Sequence, residues 1–251
     1  MIRRDLARLA AALLIIFVLN IGDLVELRRN VLDLELELEN DIDAFDKAFS
    51  ELLFGFHRVD TGLNAADLSQ LTFLAVPPLF FGQSISADLS ISGTYYFTRQ
   101  NNRTAWYFKR SLSLLLLSLI TALFTCGLNT ALTLQLDVGR VPVPRVLLVA
   151  CSVTLCIFTL VMLSNLAGIY FGSVIGLAAA VVFAAVNILL TATPARSASI
   201  VFSCTFLPDE AYREMAAKLA VNGAYAAAAF AVGHVVIKKR ELGLVNAEHL
   251  F

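Results

Sequence analysis

The sequence predicts an all-α integral membrane protein, with six transmembrane helices, an extracytoplasmic amphipathic segment after the first, and a re-entrant hairpin before the last. Three observations carry this prediction. Hydrophobic residues make up 58% of the 251 residues and mean hydropathy is +0.76, well above the roughly 45–50% apolar content of a soluble domain. Long stretches carry no charge, and one Asp, Lys or Arg at mid-bilayer costs roughly 2.5 to 3.5 kcal/mol on insertion scales. Basic residues, finally, gather at the two ends of the chain and in one short connection. The formal net charge of −1 excludes a nucleic-acid partner, which would need a basic face to displace counterions.

The gaps between charges place the spans. Arg8 to Asp23 encloses a short run, which reaches the roughly 20 residues of a crossing only if the helix covers 6–27 with Asp23 near its outer end. Arg3-Arg4 before an apolar stretch has the outline of a secretory signal, yet no small-x-small site follows Val18, so the segment reads as a retained first helix. The outer loop 28–67 holds ten acids, from Asp33 to Asp67. Within it Leu38, Ile42, Phe45, Phe49, Leu52 and Phe56 recur at helical spacing, as in an amphipathic helix lying on the membrane surface. A docking site for cations or cationic peptides is the alternative reading of this loop.

Asp67 to Asp88 encloses 20 uncharged residues, giving a second span over 68–87. Pro77-Pro78 lies in its middle, where the lost donors kink a helix. Arg110 to Asp137 encloses 26, giving a third span over 111–136. Arg145 to Arg196 encloses 50, too many for one helix rising about 1.5 Å per residue through a core about 30 Å thick. A turn near Ser164-Asn165 and Ala167-Gly168 divides it into spans over 146–166 and 168–193. Gly168, Gly172 and Gly176 form two overlapping GxxxG motifs, small residues that let helix backbones approach. Their spacing leaves open whether the contact lies within one chain or between two copies.

Between the fifth and sixth spans, Ser199 to Leu207 is apolar but too short to cross and too apolar for an open loop, which points to a re-entrant or interfacial hairpin. Lys218 to Lys238 encloses 19 residues, and the last span covers 215–237 with Asp209, Glu210 and Glu214 at its start. Three of the four cysteines fall in apolar runs, where Cys behaves as a small hydrophobe. Cys204 has no evident partner for a disulfide. The whole chain reads as one transmembrane domain over 1–251.

Six spans put both termini on one side. Arg3, Arg4 and Arg8, the four basics of the 85–111 loop, and Lys238, Lys239 and Arg240 are ten of the nineteen basic residues, and they sit in short segments. The positive-inside rule makes that side the cytoplasm, with Arg28-Arg29 as its exception. The location is a bacterial-type cell membrane.

No GxxxxGK followed by Ser or Thr occurs, so the chain has no P-loop for nucleotide phosphates. His57, His234 and His249 have no Cys or acidic neighbour at ligand spacing, which leaves no metal set. Ser173 and His234 invite comparison with a membrane serine protease, but Val174 follows Ser173 where that family has Gly. Helix packing accounts for Ser173 and interfacial solvation for His234. No catalytic residue and no directly bound cofactor is expected.

The segment from Ile85 to Ser111, ISADLSISGTYYFTRQNNRTAWYFKRS, organises the chain. It runs from Asp88 through Ser92-Gly93-Thr94 and Tyr95-Tyr96-Phe97 to Arg99, Arg103 and Trp106-Tyr107-Phe108-Lys109. This order resembles the cytoplasmic loop between the second and third membrane helices of type 2 ABC exporter permeases. The resemblance implies a coupling helix that docks on a separate ABC ATPase subunit, with ATP and Mg handled there. It implies that Asp88, Gly93, Thr94, Tyr95, Phe97, Arg99 and Arg103 form the ATPase-coupling set in loop 88–110. Trp106, Tyr107 and Lys109 would anchor the third helix among the headgroups. It also implies a second permease copy or a related permease, with the fifth helix near the interface, and a re-entrant outer gate before the last helix. Apart from Arg8, Asp23 and Glu26 toward the ends of the first span and Lys218 near the start of the last, the spans hold no charge, which argues against an ion-coupled carrier and for amphipathic or lipid-like cargo. From a different class comes a second reading, a six-helix binding or immunity protein that captures a ligand at the acidic outer loop.

Overall fold

A computed structural model describes residues 2–34, 49, 65–89, 103–135, 141–191, 193–205 and 211–239, and every regular element among them is helical. The α-helices are α1 (Ile2–Leu34), α2 (Ala65–Phe81), α3 (Arg103–Leu134), α4 (Val143–Phe171), α5 (Ser173–Thr191) and α6 (Tyr212–Lys239). Two 3₁₀ turns, Arg196–Ala198 and Phe202–Cys204, stand between α5 and α6. All but α2 are long and apolar enough to cross a membrane, and five such helices describe a multi-pass membrane protein. The shorter α2 has 17 residues and carries Pro77 and Pro78. After a turn at Gly82-Gln83 the chain is helical again over 84–89.

At the centre stands α4, packed against α2, α3, α5 and α6, with Ile157, Leu160, Val161 and Met162 fully buried. Val143 and Pro144 open it, a placement in which proline's missing donor costs nothing. The outer helices turn apolar faces away from the bundle. On α3, Leu112, Leu116, Ile120 and Leu123 are exposed while Ser118, Thr121, Thr125, Asn129 and Thr133 are buried. In water this amphipathicity would be inverted; in lipid the solvent is the apolar phase. The buried hydroxyls of Ser118, Thr121, Thr125 and Thr133 donate to the carbonyls four residues earlier, 2.8–2.9 Å away.

The long uncharged run turns later than expected. Rather than breaking over 164–168, α4 continues to Phe171, and the chain reverses at Gly172, whose φ is +89°. That value lies where an L side chain meets the backbone, so glycine is the residue that makes this one-residue turn. The turn brings Gly168 and Gly176 face to face. A Cβ built on Gly176 would lie 2.7 and 2.8 Å from the N and Cα of Gly168 and closer still to the carbonyl oxygen of Ser164. The small residues therefore close a contact within one chain.

Asn165 is helical and fully buried instead of marking a turn. Its Nδ2 donates to the carbonyls of Phe81 (3.0 Å) and Val161 (2.8 Å), and its Oδ1 accepts from the backbone N–H of Ile85 (2.7 Å). The Gly82-Gln83 interruption strands those two backbone groups, and a bilayer offers them no water. The Phe81 carbonyl also accepts from the Ser84 hydroxyl (2.8 Å), so Asn165→Leu should leave the buried Ile85 N–H unpaired and cost about 2 kcal/mol, read as a fall in the thermal midpoint of the detergent-solubilised protein. An unchanged midpoint would show that the break finds other partners.

At the opposite end from the chain's start, the segment before α6 is held the same way. Ser199, Ile200, Val201, Ser203 and Cys204 are buried. Asn187 Oδ1 accepts from the Ile200 N–H (3.0 Å), and the Ser199 hydroxyl donates to the Asn187 carbonyl (2.7 Å). Asn222 Nδ2 reaches Ser152 Oγ (2.8 Å) and Cys204 Sγ (3.3 Å), while Ser152 Oγ donates to the Ser203 carbonyl (2.6 Å). Lys218 bends back to the Thr205 carbonyl (3.0 Å), its ammonium 4.3 Å from the Phe202 ring centroid. All four cysteines are free thiols.

Candidate functional site

The charges of the two amino-terminal turns meet those flanking the 88–110 loop. Arg4, Asp5 and Arg8 occupy adjacent positions on one face of α1, three and four residues apart. Asp88 ends the short helix over 84–89, and Arg110 lies two turns into α3. Arg110 Nη1 donates to Asp5 Oδ2 (3.0 Å), and its Nε lies 3.0 Å from Asp88 Oδ2. Arg4 Nη2 donates to Asp88 Oδ1 at 3.2 Å. The Arg110 side chain is only 3% exposed, whereas that of Arg4 is 40% exposed, so Arg110 is the hub and Arg4 the solvated rim. Charge pairs withdrawn from water interact far more strongly than surface pairs. Arg8, one turn on from Asp5, brings a third guanidinium group to this end, against the two carboxylates of Asp5 and Asp88 among the described residues.

A second tie crosses the same end. The Tyr107 hydroxyl donates to the Phe230 carbonyl on α6 (2.9 Å), and its ring stands 5.3 Å from Phe230 and 6.2 Å from His234, centroid to centroid. The start of α1, the end of the 84–89 helix, the start of α3 and the end of α6 are thus fastened to one another.

Of the residues expected to form a coupling set, Asp88 enters the ion network, and Arg103 is the half-buried first residue of α3. Gly93, Thr94, Tyr95, Phe97 and Arg99 lie outside the described residues, as do most of the acidic outer loop and the tail beyond Lys239. Lys109 is exposed, while Trp106 is half-buried against the core. Tyr107 departs from expectation: it is fully buried and joins two helices instead of lying among headgroups. His234 is half-buried beside it, and Ser173 is exposed at the start of α5. Gly168 and Gly176 pack on each other, and Gly172 makes the turn between them.

The hub itself, Arg110 with Asp5, is not foreseen from sequence. Its partners stand 105 and 22 residues away, and no local spacing links them; the available signal is an acid in an otherwise basic amino end. A family described as "Protein of unknown function (DUF2705)" matches residues 53–242. No curated protein and no solved structure matches the chain.

Proposed function

We propose that this chain, which belongs to the DUF2705 family, is the permease subunit of an ATP-driven ABC exporter. On this reading α2 and its continuation over 84–89 supply a sixth crossing, both termini are cytoplasmic, and loop 88–110 docks on an ATPase subunit that binds ATP and Mg. A second permease completes the transporter. The buried segment around Ser199–Cys204 acts as a re-entrant outer gate. Cargo is amphipathic or lipid-like, since the described spans carry few charges and keep their hydroxyls and amides inside the bundle.

The observation that carries this proposal is the fastening of both ends of the loop. Asp88 at its start and Arg110 at its end share ion pairs with α1, and Tyr107 ties α3 to α6. A push on the loop from an ATPase would move four helix ends as a unit, which an alternating-access machine requires. A break in the helix at Gly82-Gln83 comes just before the short helix that carries Asp88.

Co-purification with the ATPase in detergent, followed by ATP hydrolysis after reconstitution with and without this chain, tests the proposal. A stable complex with altered hydrolysis is expected. Arg103→Glu should abolish association while the variant still inserts and elutes as the parent does. Failure of the parent chain to hold any ATPase would overturn the proposal and return attention to ligand capture at the outer loop.

A further inference from the structure

Two guanidinium donors at this end are unused. Arg110 Nη2 and Arg8 Nη1 are both buried and have no hydrogen-bond partner among the described residues. An unpaired guanidinium N–H out of water is costly. The stretch joining Asp88 to Arg110 contains no acid in its sequence, so that connection supplies no carboxylate to these donors. Arg8 is followed at once by the uncharged run of α1, and Arg110 by that of α3. Exposed Lys109 lies beside them, and exposed Leu6, Phe108 and Leu112 offer apolar surface at the same level. This is the boundary at which lipid headgroups give way to acyl chains.

We infer that Arg8 and Arg110 form a phosphate site for an anionic phospholipid, the headgroup held by the spare guanidinium donors and the acyl chains lying along Leu6, Phe108 and Leu112. Guanidinium forks suit phosphate oxygens, and basic pockets between membrane helices recognise lipid headgroups by this chemistry. Asp5 and Asp88 hold Arg110 in place and leave its Nη2 for the phosphate. The site stands whether or not an ATPase docks below it.

The test is native mass spectrometry of the purified full chain, equilibrated with phosphatidylglycerol or phosphatidylcholine in one detergent. About tenfold greater retention of phosphatidylglycerol is expected. Arg8→Gln should bring the two lipids to parity, and Arg8→Lys, which keeps charge but not the fork, should fall between. Lys109→Gln should change nothing, because Lys109 stands outside the site. Equal retention of the two lipids by the parent chain overturns the proposal, as does a Lys109→Gln loss equal to that of Arg8→Gln. Displacement of the bound lipid by millimolar inorganic phosphate would show a free-anion site and overturn the lipid assignment.

Discussion

Replacing Gly176 by leucine should abolish the folded protein. The side chain would have to occupy the space filled by the backbone of Gly168 and the Ser164 carbonyl, and backbone does not give way as a flexible side chain does. Overpacking in an interior costs about 1–3 kcal/mol even where side chains are able to shift; here the α4–α5 hairpin must open, so a loss of about 3 kcal/mol or more is expected. In detergent the variant should lose its monodisperse elution peak and its cooperative thermal transition. Gly172→Ala is the informative contrast. Nothing lies within 4 Å of a Cβ there, so only the backbone opposes it, φ +89° with ψ 164° being a region essentially reserved for glycine, at about 1–3 kcal/mol, and that variant should fold with a lowered midpoint. Equal behaviour of the two would mean that the hairpin is not closed through Gly176.

Arg110→Met should be nearly as damaging, for an electrostatic reason. It leaves Asp5 and Asp88 facing each other, their side chains 14% and 12% exposed, with Arg4 at the rim as the remaining described partner. Breaking a buried pair by removing one member costs about 3–5 kcal/mol, whereas replacing all members with neutral groups is often close to neutral. The triple variant Arg110→Met, Asp5→Asn, Asp88→Asn should therefore recover most of the thermal stability lost by the single one. No recovery would mean that Arg110 acts through packing of its aliphatic stem, and that the charges contribute little.

Much of the bundle was legible in the spacing of charges. The stretch between Lys218 and Lys238 falls within α6, and that between Arg110 and Asp137 covers most of α3, because a mid-membrane charge is costly enough to be seen in any single sequence. The turn after α4 was not legible from the same signals. Ser164, Asn165 and Gly168 look like turn residues by soluble-protein chemistry, but Asn165 is consumed by the broken backbone of Phe81 and Ile85, some eighty residues earlier. Gly168 is spent on close approach to Gly176. Both demands are tertiary and leave no local trace. The same holds at the candidate site, where Asp88 could be singled out within its loop, yet its pairing with Arg4 and Arg110, and that of Arg110 with Asp5, depends on how α1 lies against α3. Asn187 and Asn222 escaped notice because an asparagine in an apolar run does not announce which distant backbone group it serves.

The one-residue turn at Gly172 also limits how this chain can vary over evolutionary time. Surface loops absorb added or lost residues with little penalty, but Gly168 and Gly176 oppose each other only because exactly this number of residues separates them. One inserted residue would rotate α5 by about 100° about its axis and carry Gly176 off the contact. Gene lineages that lengthen or shorten this protein must do so elsewhere, and the eight-residue interval from Gly168 to Gly176 should behave as a ruler of fixed length.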